Sequence, residues 1–215
     1  HIERGDIYEA NFCQEFYANG NIDPVATFRH LNAISSAPFA SFLKFDDNYL
    51  LCSSPERYLK KVGDRIISQP IKGTAPRSAN KEEDSAFAKA LQADPKERTE
   101  NIMITDLVRN DLSRTALKGS VHVEELCGVY SFKQVHQMIS TISAEISSKY
   151  HFVDAIKGAF PMGSMTGAPK RKAMELIEEY ETTKRGLFSG SVGYISPCAD
   201  FDFNVVIRSI LYNKS

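Results

Sequence analysis

Residues 39–69 read FASFLKFDDNYLLCSSPERYLKKVGDRIISQ, and strand-forming runs alternate with turn residues throughout this stretch. Its first half predicts strands over Phe39–Phe45 and Tyr49–Cys52, on either side of a turn at residues 46–48. Its second half predicts another pair, Arg57–Val62 and Arg65–Gln69, which turn at residues 63–64. Consecutive strands joined by such short turns run antiparallel. The stretch therefore predicts antiparallel sheet structure.

Helices and further strands are interleaved along the rest of the chain. The patterns predict helices over Pro24–Ser35, Lys81–Ala93, Pro95–Leu112, Asp154–Phe160 and Pro169–Tyr180. They predict strands over Val121–Leu126, Val135–Ile146, Ser189–Ser196 and Phe203–Tyr212. Many strands with few helices indicate an α+β fold with large, mostly antiparallel sheets.

The composition excludes several classes of protein. The chain has 215 residues, of which 42% are hydrophobic and 25% charged, with a formal net charge of −1. That charge argues against a broad nucleic-acid surface. No apolar run approaches the roughly 18 residues of a membrane helix, and the first residues lack the pattern of a signal peptide. The four cysteines are scattered, so we expect reduced cysteines and a cytoplasmic protein.

Pro70-Ile71-Lys72-Gly73-Thr74 follows a predicted strand and holds the first candidate for chemistry. Gly73 allows a ligand to approach the backbone closely, and Thr74 offers a hydroxyl. Partial burial of Lys72 would favour its neutral amine, which is a nucleophile. The alternative is a lysine that faces solvent beside a turn, and local composition alone favours it.

Three carboxylates form a second group of candidates. Glu56 follows Pro55 at a strand start, where burial against apolar strands would raise its pKa and make it a general acid. The alternative is a surface pair with Arg57. Glu97 and Glu100 share one helix face, and two such carboxylates suit Mg²⁺ together with water and an anionic substrate. The alternative is an ordinary solvated helix face.

Residues 163–169 combine two glycines, two hydroxyl side chains and a proline at a helix start. Free N–H groups and the helix dipole would favour an anion there, and a carboxylate fits better than a nucleotide phosphate. The alternative is a plain helix cap by Ser164 or Thr166. Arg208, in a predicted strand, needs an anionic partner, either a substrate carboxylate or a structural salt bridge. His136 predicts a hydrogen-bonded core histidine or a substrate contact.

These candidates belong to motifs that follow one another in a recognisable order. The motifs are Gly5-Asp6-Ile7-Tyr8-Glu9-Ala10-Asn11-Phe12, Ser54-Pro55-Glu56-Arg57, Pro70-Ile71-Lys72-Gly73-Thr74, the run from Glu100 to Asp111, the run from Phe160 to Lys170, Gly190-Ser191-Val192-Gly193-Tyr194 and Ile207-Arg208-Ser209. In this order they resemble the chorismate-binding enzyme family, over essentially all 215 residues. The family includes anthranilate, aminodeoxychorismate, isochorismate and salicylate synthases.

The resemblance implies a particular branch of the family, because aminodeoxychorismate-forming members typically carry lysine at the position of Lys72 and anthranilate-forming members alanine. It implies that chorismate and ammonia give 4-amino-4-deoxychorismate, in para-aminobenzoate and folate biosynthesis. It also implies a sandwich of antiparallel sheets with outer helices, and a ligand cleft between two subdomains.

Residue roles follow from the same resemblance. Lys72 matches the lysine that attacks C2 of chorismate, and Glu56 matches the acid that protonates the departing 4-hydroxyl group. Glu100 matches a Mg²⁺ ligand, with Glu97 as a supporting carboxylate. The residues that match the chorismate-binding set are Gly73, Thr74, His136, Ser164, Phe188 and Arg208. Phe188 is tyrosine in several relatives, which removes one hydroxyl contact.

Two departures from the family pattern stand out. Glu9 matches neither the lysine of water-adding members nor the usual glutamine of ammonia-using members. A C-terminal stretch with a second Mg²⁺-binding glutamate and a substrate-contacting lysine would follow Ser215, so we expect one catalytic domain over 1–215 that lacks this element and the parent's N-terminal region. Ammonia would come from a glutamine amidotransferase partner. The alternatives are anthranilate synthase component I and a non-catalytic chorismate-binding fragment.

Overall fold

The computed structural model describes residues 1–214, which contain twelve strands and five α-helices. The strands are β1 (Glu9–Ala10), β2 (Phe39–Phe45), β3 (Asn48–Ser54), β4 (Arg57–Val62), β5 (Arg65–Gln69), β6 (Ile71–Pro76), β7 (His122–Ser131), β8 (Val135–Glu145), β9 (Gly167–Ala168), β10 (Gly193–Ile195), β11 (Phe201–Asn204) and β12 (Ser209–Asn213). The helices are α1 (Pro24–Ser35), α2 (Lys81–Ala93), α3 (Pro95–Ser113), α4 (Phe152–Ala159) and α5 (Lys170–Tyr180).

Every strand pair within residues 1–214 is antiparallel, which confirms the predicted sheet type. Seven strands form the largest sheet, in which β10, β11, β4 and β5 lead to the long strand β8. Because β7 pairs with one edge of β8, strands β5 and β6 lie end to end along its other edge. A second sheet has the order β12-β3-β2, and β1 pairs with β9.

The chain passes between the two larger sheets at two places. It leaves β3 and enters β4 through Pro55 and Glu56. It leaves β11 and enters β12 through residues 205–208, so the single strand predicted over 203–212 is wrong. Arg208 adopts a φ of +51°, which no continuous strand allows. The second passage is hydrogen-bonded to the first and to the end of β3, since Val205 N–H donates to Glu56 O at 3.1 Å and Ser53 N–H donates to Arg208 O at 3.2 Å.

The main core lies between the seven-stranded sheet and helices α3 and α4. Helix α3 contributes an apolar stripe at helical spacing, because Ile104, Val108 and Leu112 are buried and Leu107 packs beside them. The other buried members of this core are Tyr58, Leu59, Ile66, Ile142, Ala144, Ala155, Ala159, Met162, Met165, Phe201 and Val205. Burial of this face is the main contribution that fixes α3 on the sheet.

Local sequence explains where the helices begin. Asp23, Asn80 and Asp94 accept hydrogen bonds from the first free N–H groups of α1, α2 and α3. No helix within residues 1–214 combines the length and the apolar character needed to cross a bilayer. All four cysteines are unpaired, as expected. The single catalytic domain and the cleft between subdomains remain predictions.

Candidate active site

Glu56 lies in the first passage between the sheets and is only 4% exposed. Ser164 Oγ donates a hydrogen bond of 2.6 Å to Glu56 Oε1. Burial raises the pKa of Glu56 to about 7, although Ser164, the Ile71 N–H and the charges of Lys72 and Arg208 oppose that rise. Glu56 is therefore a carboxyl group that can hold a proton near neutral pH.

The alternative of a surface pair between Glu56 and Arg57 is wrong. Arg57 turns to the other side of β4 and donates to both carboxylate oxygens of Asp202, at 2.9 and 3.0 Å. Successive side chains of a strand point to opposite faces, so neighbours in sequence are separated at this strand start. Glu56 is left facing the interior.

Lys72 lies near the start of β6 with its side chain 18% exposed, so it is partly buried, and the alternative of a lysine facing solvent, which local composition favoured, is wrong. Its Nζ forms an ion pair with Glu9 and donates a hydrogen bond of 2.8 Å to Asn11 Oδ1. Glu100 Oε2 lies 3.9 Å away. The β1–β9 pairing brings Glu9 here, so carboxylates rather than cations are the nearest charged groups to Lys72.

Gly73 connects this lysine to the carboxylates of α3. Its φ of +104° is a conformation that L side chains rarely adopt. A Cβ at this position would lie 3.1 Å from Glu97 Oε2 and 3.1 Å from the Cβ of Met138. Glycine is required here for both reasons, and its absence of a side chain lets Glu97 approach the backbone.

Glu97 and Glu100 lie one turn apart on α3, on the side facing β6. Glu100 has only long ion-pair contacts, 3.9 Å to Lys72 Nζ and 3.8 Å to Lys96 Nζ. Its carboxylate is therefore available as a ligand. No cluster of three or more metal-binding side chains occurs within residues 1–214, so these two carboxylates would need ligands from water or substrate.

Arg208 lies in the second passage between the sheets, beside a cavity of about 150 Å³ that Ser53, Pro55 and Gln134 also line. Within the described part of the chain its guanidinium has no ion-pair partner, which removes the structural salt bridge as an explanation. Partial burial lowers the pKa of Arg208, and the Glu56 charge opposes that shift. An unpaired guanidinium beside a cavity can bind a carboxylate.

Thr74 and His136 lie near each other on β6 and β8 but differ in environment. Thr74 is exposed and pairs with Gln137. His136 is 1% exposed, with Nδ1 2.8 Å from Ser131 Oγ and Nε2 3.0 Å from Asp84 Oδ1. Both ring nitrogens thus have protein partners, so a direct substrate contact of His136 stays a prediction.

Phe188 lies away from this group. It packs against the main core and lines a separate cavity of about 780 Å³ with residues 13–20 and 209–212. The described contacts do not join it to Lys72 or Glu56. Its role in substrate binding also stays a prediction.

Residues 161–169, which we call the Ser164 loop, do not cap helix α5 through a hydroxyl group. Pro169 occupies the cap position without a side-chain hydrogen bond. Ser164 donates to Glu56, and Thr166 Oγ1 donates to Met162 O at 3.1 Å. The capping alternative is therefore wrong, and the loop instead delivers one hydroxyl to the buried acid.

Two polar residues of the site were not among the sequence candidates. Asn11 binds the Lys72 amine, and the buried Asn101 donates from Nδ2 to Lys72 O at 3.0 Å and to Met138 O at 3.1 Å. Asn101 thereby fixes β6 and β8 against α3. The available signal was an amide side chain on the apolar face of a predicted helix, which must find buried partners.

The sequence and the fold of this chain are similar to those of known proteins. The family model described as "chorismate binding enzyme" matches residues 1–215. The chain is 42% identical over 210 residues to aminodeoxychorismate synthase component 1 of Klebsiella aerogenes, covering 98% of this chain and 47% of that protein. It is also 42% identical over 210 residues to the protein of the same name from Escherichia coli strain K12, covering 98% and 46%.

A solved structure shares the fold. The crystal structure of anthranilate synthase component I from Streptococcus pneumoniae TIGR4 matches with a TM-score of 0.89 and 31% identity, covering 99% of this chain and 47% of that one. The chain spans about half the length of the curated relatives that it matches.

Proposed function

The chain belongs to the chorismate-binding enzyme family, and from this premise we propose that it supplies the catalytic residues of an aminodeoxychorismate synthase. The reaction would convert chorismate and ammonia into 4-amino-4-deoxychorismate and water. One observation carries the proposal: the charges of a partly buried lysine, Lys72, and of an arginine without an ion-pair partner within residues 1–214, Arg208, both act on the buried carboxyl group of Glu56. The similarity to two proteins named aminodeoxychorismate synthase component 1 supports the choice of branch.

The first step would form a covalent adduct. The Lys72 ammonium first gives a proton to Glu9, its ion-pair partner, and the neutral amine then attacks C2 of the chorismate ring, the two ring double bonds shift, and the C4–O bond breaks. Glu56 gives its proton to the departing oxygen, which leaves as water. An acid that is still protonated near pH 7 suits this role because a carboxyl with its ordinary pKa would already be ionised.

The second step would reverse the electron shift. Ammonia attacks C4, the double bonds return, and the bond between C2 and Lys72 breaks. The amine of Lys72 is regenerated as the leaving group and takes its proton back from Glu9. One proton of the new C4 ammonium returns to Glu56, which restores its acid form, so the net change is ammonia consumed and water released.

Arg208 would bind one of the two carboxylates of chorismate. The Ser164 hydroxyl holds Glu56 in place. The carboxylates of Glu97 and Glu100 fit a Mg²⁺ ion that takes water and substrate oxygens as its other ligands, and the ion would supply positive charge for a dianionic substrate. We propose Mg²⁺ as the cofactor on that basis.

The ammonia source would be a glutamine amidotransferase subunit. The word "component 1" in the names of the two relatives supports the existence of a partner subunit. A cytoplasmic location agrees with a chain whose four cysteines are unpaired.

The decisive experiment incubates the complete natural polypeptide with chorismate, Mg²⁺ and ammonium salt, and separates the products by chromatography. We expect 4-amino-4-deoxychorismate. Omission of ammonium should allow a chorismate-derived adduct on the Lys72 peptide to be detected by mass spectrometry. Isochorismate as the product, or an adduct on another residue, would contradict the proposal.

Anthranilate formation is the second candidate, favoured by the TM-score of 0.89 to an anthranilate synthase component I. The same chromatogram separates it from the first candidate. A non-catalytic fragment would yield no product with Mg²⁺ and ammonium present.

A further inference from the structure

Lys170 and Asp111 form a buried ion pair outside the proposed catalytic group. Their side chains are 12% and 3% exposed, and Lys170 Nζ donates to Asp111 Oδ2 at 2.5 Å. The same amine donates to Pro161 O at 2.7 Å and to Ala159 O at 3.4 Å. One amine therefore joins α3, the last residue of α4 and the beginning of the Ser164 loop.

This buried ion pair contributes little net free energy to the stability of the fold. Burial lowers the pKa of Lys170 and raises that of Asp111, which shows that both charges are desolvated. Removing two ions from water offsets most of their attraction, and an apolar pair of similar volume often packs as well. An apolar pair could not donate the hydrogen bond that Lys170 makes to Pro161 O. The ion pair therefore fixes the position of the Ser164 loop, which an apolar pair would not do.

The loop that Lys170 holds carries the hydroxyl group that binds Glu56. Ser164 follows Pro161 by three residues and lies in a short 3₁₀ turn, Gly163–Met165. The far side of this turn is held by Arg185, whose Nη1 donates to Met165 O at 2.7 Å. Both sides of the turn are thus fixed by a cation bound to a backbone carbonyl.

A small cavity connects the ion pair with the acid. It measures about 20 Å³ and is lined by Glu56, Ser164, Gly163 and Asp111 among others. Asp111 Oδ1 is buried and has no hydrogen-bond partner within residues 1–214, and Arg114 Nη2 lies 3.9 Å from it. The space suffices for one water molecule. The carboxylates of Asp111 and Glu56 thus face a common cavity beside the loop.

We propose that Lys170 and Asp111 are positioning residues that hold the Ser164 hydroxyl on Glu56. This inference rests on the proposed function, in which Glu56 is the acid. Neither Lys170 nor Asp111 touches the reacting atoms in that mechanism. They act through the loop, and Ser164 is the group that transmits their effect.

The consequence is a change in the titration of Glu56. A hydroxyl that donates to the ionised carboxylate stabilises it, so loss of this hydrogen bond raises the pKa of Glu56. The charged and titratable groups around Glu56 and the small cavity are Lys72, Arg208, Arg57, Tyr58, Asp111 and Lys170. In Lys170→Met, the charge of Asp111 is no longer neutralised and would itself repel an ionised Glu56. A raised pKa of Glu56 in this single variant therefore does not identify movement of the loop as the cause.

A double-mutant cycle on the complete natural polypeptide separates the two effects. Protonation of Glu56 is followed by infrared spectroscopy of the carboxylic acid band as pH is raised, with Glu56→Gln as the blank. In the wild-type background we expect Ser164→Ala to raise the titration midpoint by about 1 pH unit. In the Lys170→Met background we expect Ser164→Ala to change the midpoint little, since the hydroxyl has already left the carboxylate. A direct effect of the Asp111 or Lys170 charge on Glu56 does not depend on Ser164, so it cancels when the two Ser164→Ala shifts are compared.

Lys172→Met is the matched control, because Lys172 lies on the same helix in an exposed pair with Glu175. The full Ser164→Ala shift should persist in that background. An equal shift in the Lys170→Met background, or none in the wild type, would overturn the proposal. If Lys170→Met does not fold, the double variant Asp111→Leu/Lys170→Met, which replaces the buried ion pair by an apolar pair and also removes the contact with Pro161 O, takes its place in the cycle with the same expected outcome.

The titration needs no turnover, so its outcome is independent of the assay for the proposed reaction. A wild-type protein without product would refute the function. If turnover is normal but the effects of Ser164→Ala and Lys170→Met on the Glu56 titration midpoint are additive, only the positioning role is refuted.

Discussion

Glu56 and Lys72, the proposed acid and nucleophile, occupy opposite kinds of surroundings. Glu56 is sealed between two sheets, with one hydroxyl as its side-chain partner, and its pKa is raised to about 7 by burial. Lys72 lies at a more open position among the side chains of Glu9, Asn11 and Glu100. The carboxyl group is thus distinguished by its burial, and the amine by its polar and charged partners.

The comparison separates the effect of burial on the pKa of Glu56 from the effect of hydrogen bonds and ion pairs on the position of the Lys72 amine. Replacement of Glu56 should change the pH dependence of the reaction rate and of the free energy of unfolding. Replacement of Gly73, the residue after Lys72, should instead alter the position of the backbone beside the amine. The following variants test that contrast.

Lys72→Ala should have the largest effect. Loss of the proposed nucleophile is expected to lower the rate of product formation by at least about 10³-fold, because no other amine takes its place. Lys96→Ala is the matched control, since Lys96 also contacts Glu100 but is 78% exposed. Steady-state rates with chorismate and ammonium measure both. Equal losses in the two variants would show that Lys72 acts only through the charge of Glu100.

Glu56→Gln should lower the rate by about 10²- to 10⁴-fold, the usual range for loss of a general acid. In the wild type, activity should fall as pH rises through about 7, where Glu56 loses its proton. The residual activity of Glu56→Gln should lack that decline. A pH profile of kcat/KM measures the difference, and an unchanged decline in the variant would assign it to another group.

The stability of Glu56→Gln relative to the wild type should also depend on pH. The pKa of Glu56 is about 7 in the folded protein and 4.5 in the unfolded chain, so between these values the folded state keeps a proton that the unfolded state has lost. The wild type should therefore lose about 3 kcal/mol relative to the variant as pH rises from about 4.5 to about 7, and no more above it. Urea unfolding at several pH values measures this. A constant difference would contradict the burial of an ionisable group.

Gly73→Ala should have the smallest effect on the free energy of unfolding. This variant tests the backbone next to Lys72. The strained φ and the contacts with Glu97 and Met138 should together cost about 1–3 kcal/mol. Gly119→Ala is the control, because Gly119 has a φ of +85° but no neighbour within 4 Å of an added Cβ. It should show the backbone strain alone and keep full activity. Equal activity in both variants would mean that the close approach of Glu97 to residue 73 is unimportant.

Several elements were predictable because their signals are local. Helix α1 begins after Asp23 and at Pro24 as the sequence indicates, and strands β4 and β5 have the predicted bounds. Caps, prolines and alternation act over a few residues, so the sequence suffices for them. The helix predicted from Asp154 begins earlier, at Phe152, because His151 and Asp154 form a capping box.

The predictions that failed depend on distant residues. The apolar run 203–212 has the composition of one strand, but its two halves pair with β4 and β3 in different sheets. Nothing within the run marks residue 208 as the place where the chain turns. Likewise the partner of Arg57 is Asp202, far away in sequence, which no local pattern reveals.

The sequence by itself determined the helices, most strands, the antiparallel type of sheet and the residue types available for chemistry. Only the tertiary structure decided that Glu56 is buried, that Glu9 and Asn11 reach Lys72, and that Lys170 holds the Ser164 loop. The physical reason is range: propensity and periodicity are properties of neighbouring residues. Burial, by contrast, and the pKa of Glu56 that follows from it, depend on every segment that the fold packs around one side chain.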